Sequence, residues 1–225
     1  GSLGHFAQEF SELAEQLSPL ADGLELNLSC PHVAAGGAAL GKDPLNVEAA
    51  VRAVRKVSRR PIFAKLSPNF GNVEDLAKAA ERGGASGISA INTAGPGLVL
   101  DPETERPSLS HGMGGLSGAG ILPLGLATVA RIRAVTELPI LGMGGIRSGA
   151  HLRAYAACGA QAFGIGSALT GMNSQTVKAY FRALQDDWET GSDAAGCMVG
   201  TGCLRSHRFS VASIERPSKD LAVIR

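Results

Sequence analysis

Ile62-Phe63-Ala64-Lys65-Leu66, then Val73, Leu76, Ala77 and Ala80, then the run from Gly87 to Thr93 form the stretch that decides the fold. The first run reads as a short apolar strand, the i, i+3, i+4, i+7 set as one buried helical face, and the third as a second strand. Two strands joined by a helix pair in parallel through a right-handed crossover. Working outward, the same alternation recurs on both sides. Upstream lie a strand at Leu24-Glu25-Leu26-Asn27-Leu28-Ser29, a helix carrying Val47, Val51, Val54 and Val57, and a first helix whose buried face is expected at Phe6, Phe10, Leu13, Leu17 and Leu20. Downstream come a helix with Leu126, Val129, Ile132 and Val135, a strand at Ile140 to Met143, and a helix from Gly149 to Ala157. A strand at Ala162 to Ile165 and a last helix near Thr176 to Asp186 complete the series.

This alternation narrows the field to doubly wound sheets and closed eight-stranded barrels. Asn27 and Cys30, Lys65, Asn92 and Thr93, Gly144 and Gly145, and Gly166 and Ser167 all fall at the C-terminal ends of successive strands. Barrel enzymes build their sites there, whereas a doubly wound sheet concentrates its site at one switch point. The fold class is therefore read as α/β, a (β/α)8 TIM barrel that is incomplete in this chain. Only five strands are counted, roughly strands 4 to 8. By typical barrel size about 100 preceding residues are expected to be absent, with Gly1-Ser2-Leu3-Gly4 as the tail of an earlier strand. Residues 1–190 are assigned to the barrel and 191–225 to a C-terminal tail of unknown role. An open parallel edge predicts poor folding in isolation.

Composition sets further bounds. With 225 residues, 44% hydrophobic and 18% charged, and 21 basic against 20 acidic side chains, the chain is neither disordered nor strongly charged. One Trp and two Tyr offer little for base stacking, so no nucleic-acid partner is expected. Arg52, Arg55, Lys56, Arg59 and Arg60 read as a solvated helix face. No apolar run approaches the roughly 20 residues that span a bilayer, so no membrane role is expected. Cys30, Cys158, Cys197 and Cys203 form no CxxC pair, which points to a reducing, cytoplasmic setting and no metal site. The histidines show no ligand spacing.

Several residues invite a chemical role, each beside a plainer one. Cys30 leaves a strand into a loop, where a thiol is suited to exchange a proton near neutral pH, or it is an inert packing residue. Asn27 either faces the barrel mouth and binds something or bridges strands. Lys65 either meets a developing negative charge or snorkels to the strand end. The segments Gly114 to Gly118, Gly142 to Ile146 and Gly164 to Ser167 are tight turns or, after what would be strands 7 and 8, a phosphate site.

Taken in order, these motifs resemble the dihydroorotate dehydrogenase family. Glu25-Leu26-Asn27-Leu28-Ser29-Cys30-Pro31, Gly41-Lys42-Asp43-Pro44, Ala64-Lys65-Leu66-Ser67-Pro68-Asn69, Ile91-Asn92-Thr93, Gly114-Gly115-Leu116-Ser117-Gly118 and Gly142-Met143-Gly144-Gly145-Ile146 follow family order to about Ala168. The resemblance, closest to the NAD-linked B type, implies FMN at the barrel mouth and oxidation of dihydroorotate to orotate in pyrimidine synthesis. It implies Cys30 as the base at C5 while hydride leaves C6 for flavin N5, and Lys65 near flavin N1. Asn27, His32, Asn92 and Thr93 would bind substrate; Lys65, Ile91, Ser117, Gly118, Gly144, Gly145, Gly166 and Ser167 would bind FMN. A homodimer and an iron-sulfur/FAD electron-transfer subunit are the implied partners. His32 stands where the family usually has Asn, as in dihydropyrimidine dehydrogenase, so a dihydropyrimidine substrate is the second reading. A non-catalytic barrel fragment is the third.

Overall fold

A computed structural model describes residues 3–28, 41–192 and 222–224. The chain runs α1 (Leu3–Leu17), β1 (Leu24–Asn27), α2 (Pro44–Val57), β2 (Ile62–Leu66), α3 (Val73–Gly83) and β3 (Gly87–Ala90). It continues through β4 (Ala94–Leu98), β5 (Met113–Leu116), α4 (Leu122–Arg133), β6 (Ile140–Met143), α5 (Gly149–Ala157), β7 (Ala162–Gly164), α6 (Ser174–Ser192) and β8 (Ala222–Ile224). Short 3-10 turns at Ala119–Ile121 and Ser167–Leu169 precede α4 and α6.

The main sheet has the order β7-β6-β3-β2-β1-β8, and every pairing in it is parallel. Leu24, Leu26, Ile62, Ala64, Leu66, Ile88, Ala90 and Ile140 point to one face and are buried. The helices cover that face, with α1 packing on α2, α2 on α3, α3 on α4 and α5 on α6. Burial of this alternate set fixes the register, because a one-residue slip would turn it to the other face. Local signals agree with the boundaries. Asp43 caps α2 through Oδ1, which accepts from Leu45 N at 2.9 Å, and Pro44 opens that helix. Gly84, at φ 94°, ends α3 in a left-handed turn.

Some expectations require correction. Leu3 and Gly4 begin a helix rather than end a strand. In α1 the buried positions include Phe10 and Ala14, whereas Leu13 is 40% exposed, and Leu20, past the end of the helix, is 68% exposed. Residues 94–116, to which the sequence assigned no strand or helix, contain an antiparallel hairpin of β4 and β5. The five expected strands are all present, but a sixth, β8, lies along β1, pairing Leu24 with Ala222 and Leu26 with Ile224. Arg55 and Arg60 are not a solvated face. Arg55 donates to the carbonyls of Gly84, Ser58 and Arg60 and to Ser86 Oγ, and Arg60 Nε donates to Ser18 O. Among the described residues no helix is long and apolar enough to cross a membrane, and no His, Cys, Asp and Glu cluster fits a metal ion.

Candidate active site

The sheet's second face is built from the alternate residues of the same strands. Register places Asn27 beside Lys65 and Lys65 beside Ser89, with Glu25 one step earlier on the same face as Asn27. A lysine and a glutamate inside short strands are costly to bury singly, and here they meet. Lys65 Nζ donates to Glu25 Oε1 at 3.2 Å, with the Lys side chain 21% and the Glu 3% exposed. Ser89 is fully buried, and its Oγ has no hydrogen-bond partner among the described residues.

At the C-terminal ends the polar groups close into a rim. Asn92 Nδ2 donates to Asn27 Oδ1 at 3.0 Å, spanning the end of β2, so the bridging reading of Asn27 is realised at the rim itself. Asn92 Oδ1 accepts from Thr93 N at 2.9 Å. Asn69 Nδ2 donates to Thr93 O at 3.2 Å, and its Oδ1 accepts from Gly95 N at 2.9 Å, tying the β2 and β3 loops together.

The glycine-rich segments converge beside this cluster. Gly118 (φ 87°), Gly144 (φ 116°) and Gly145 (φ 75°) occupy left-handed conformations. A Cβ on Gly145 would come 3.0 Å from Gly118 O and 2.8 Å from Leu122 N. One on Gly118 would lie 3.9 Å from Ser167 Oγ, and one on Gly144 would meet Ile91 Cγ1 at 3.0 Å. Ile91 N donates to Met143 O at 2.8 Å. Lys65, Asn27, Asn92 and Thr93 are therefore joined through the short Ile91–Thr93 segment to Gly118, Gly144, Gly145 and Ser167. Ser117 and Gly166 are exposed at the same rim.

Cys30 and His32 lie outside the described residues. Gly41 itself lies against the end of β1, where a Cβ on it would overlap Leu28 O. Three contributors went unassigned in the sequence: Glu25, Ser89 and Asn69. The signal for the first two was a polar residue at every second position of a strand whose other positions are uniformly apolar. Asn69 carried no comparable signal.

Parallel strands alternating with helices, and a site assembled from several strand ends, define this chain as part of a (β/α)8 barrel. The crystal structure of DHODH in complex with ferulenol from Eimeria tenella has the same fold, with a TM-score of 0.70 at 21% identity over 84% of this chain and 55% of that one. The family model described as dihydroorotate dehydrogenase matches residues 1–186, and the chain belongs to that family. It is 45% identical over 166 residues to the catalytic subunit of dihydroorotate dehydrogenase B (NAD(+)) of Pyrococcus horikoshii, covering 74% of this chain and 54% of the relative. It is 41% identical over 167 residues to dihydroorotate dehydrogenase A (fumarate) of Lactobacillus delbrueckii subsp. bulgaricus, covering 73% and 54%. The chain thus spans about half the length of these curated relatives.

Proposed function

We propose that this chain supplies the catalytic rim of an FMN-dependent dihydroorotate dehydrogenase, forming orotate for pyrimidine synthesis. The observation that carries the reading is the meeting of a paired lysine, two mutually bonded asparagines and a glycine cradle at one end of a barrel sheet. The residues suit a flavin phosphate and ring. Glycines at 118, 144 and 145 leave backbone amides where side chains would crowd, Lys65 offers a fixed ammonium, and the buried Ser89 hydroxyl, without a partner among the described residues, supplies a donor. Gly118, Gly144, Gly145, Gly166, Ser117 and Ser167 would hold the phosphate, and Ile91 and Lys65 would flank the ring.

When bound, FMN supplies the two-electron acceptor for the hydride that leaves C6 of the substrate. Cys30 takes the C5 proton as a thiolate, so that the C5–C6 single bond becomes a double bond. Lys65, oriented by Glu25, balances the negative charge that accumulates beside it. Asn27 and Asn92, fixed by their shared hydrogen bond, align the planar pyrimidine together with Thr93 and His32. The proposal extends to a cytoplasmic homodimer that hands electrons to an iron-sulfur/FAD subunit; the name catalytic subunit carried by the B-type relative supports a partner subunit.

The test is anaerobic mixing of the FMN-loaded chain with dihydroorotate or dihydrouracil, followed by visible flavin absorbance. Bleaching by dihydroorotate alone is the expected result. Preferential bleaching by dihydrouracil would move the activity to dihydropyrimidines through His32, and failure to retain flavin would favour a non-catalytic fragment.

A further inference from the structure

Tyr155 sits on the inner face of α5 and is fully buried. Its hydroxyl lies 2.9 Å from Met143 O and 2.9 Å from Gly144 O, sharing one proton between two carbonyls. Burial raises its pKa well above the usual tyrosine range, so it remains a donor at any working pH. Two glycines keep its place clear. A Cβ on Gly142 would come 2.7 Å from the ring, and one on Gly125 would overlap the hydroxyl. Phenylalanine would fill nearly the same volume without a polar atom to satisfy, so packing alone does not account for the hydroxyl.

The two carbonyls belong to peptide units whose N–H groups are those of Gly144 and Gly145. In a planar trans peptide the C=O and N–H point in opposite directions. Drawing both oxygens inward to Tyr155 therefore turns both N–H groups away from the helix, on the loop that abuts Gly118. Among the described residues the Gly145 N–H makes no hydrogen bond.

We propose that Tyr155 is a positioning residue that locks the Gly144–Gly145 loop so that its amides receive the phosphate monoester of the flavin. This rests on the FMN reading above and adds a residue to which that reading gives no role. The experiment compares FMN with riboflavin, which lacks only the phosphate, in the full chain and in Tyr155→Phe, by fluorescence titration. FMN affinity should fall about tenfold in the variant while riboflavin affinity stays unchanged, the effect expected for one lost hydrogen bond at an anion site. Amide exchange at Gly144 and Gly145 should quicken by a similar factor, with β2 amides unaffected.

A parent that holds both flavins equally would defeat the phosphate reading before Tyr155 is altered. A parent with the preference and a variant that keeps it, or a variant that weakens on both flavins alike, would defeat the role of Tyr155. Gly125→Ala, which intrudes on the hydroxyl without removing it, should reproduce the selective loss of FMN; equal loss of both flavins there would also count against the proposal.

Discussion

The two faces of the parallel sheet follow different rules although they alternate along the same strands. The helix-covered face is uniformly apolar: Leu24, Leu26, Ile62, Ala64, Leu66, Ile88 and Ile140 are each no more than 1% exposed. The opposite face carries Glu25, Asn27, Lys65 and Ser89 at adjacent register positions. Parallel strands in α/β proteins are usually buried on both faces and read as continuous hydrophobic runs. Polar groups on one face alone set it apart as the face we propose for chemistry, and the apolar one as the face that holds the sheet together.

That contrast predicts opposite outcomes for substitutions on the two sides of the sheet. Leu26→Ala on the helix-covered face should cost about 2 to 5 kcal/mol of stability, read by urea unfolding, because its cavity has little room to collapse. A cost below about 1 kcal/mol, the scale of a surface change, would show that this face is not the structural one.

Cys30→Ser, at the residue proposed as the base, should leave stability nearly unchanged while slowing flavin reduction by about 100-fold or more, most strongly near neutral pH, where a hydroxyl is the weaker base. Stopped-flow reduction across pH reads this effect, and parent-like rates at neutral pH would remove Cys30 as the base.

Lys65→Met separates the two roles within one residue. Loss of the partner of the buried Glu25 should cost about 1 to 3 kcal/mol, and Glu25→Leu combined with Lys65→Met should recover most of it, since a buried ion pair adds little over an apolar pair. A double variant no more stable than the single one would mean that Glu25 contributes through other contacts.

The sequence carried the alternation well, because each strand is a short apolar run and each helix repeats its apolar residues at three and four. It carried less where burial depends on a partner. The three-residue steps to Leu13 and Leu20 look as regular as the four-residue step to Phe10, yet α1 ends before Leu20 and Ala14 takes the inner position that Leu13 was expected to hold. The β4–β5 hairpin was hidden because Gly95-Pro96-Gly97 and Gly114-Gly115 lack the β-branched alternation of a strand. The three residues of β8 are too few for any periodicity. Lys65 and Asn27 were legible as polar residues within apolar strands, but Glu25 and Ser89 acquire meaning only once register sets them beside Lys65. Arg55 read as solvated because nothing local to α2 reveals Gly84 and Ser86 across the α3–β3 turn.

If the polar face meets the flavin ring through Lys65, the reduction potential of bound FMN must respond to the charge on that side chain. Removing an ammonium beside the ring in Lys65→Met should lower the two-electron potential, by about 30 mV for each tenfold loss in preference for the reduced form. An unchanged potential in a variant that still binds FMN would place the ring elsewhere and contradict the account.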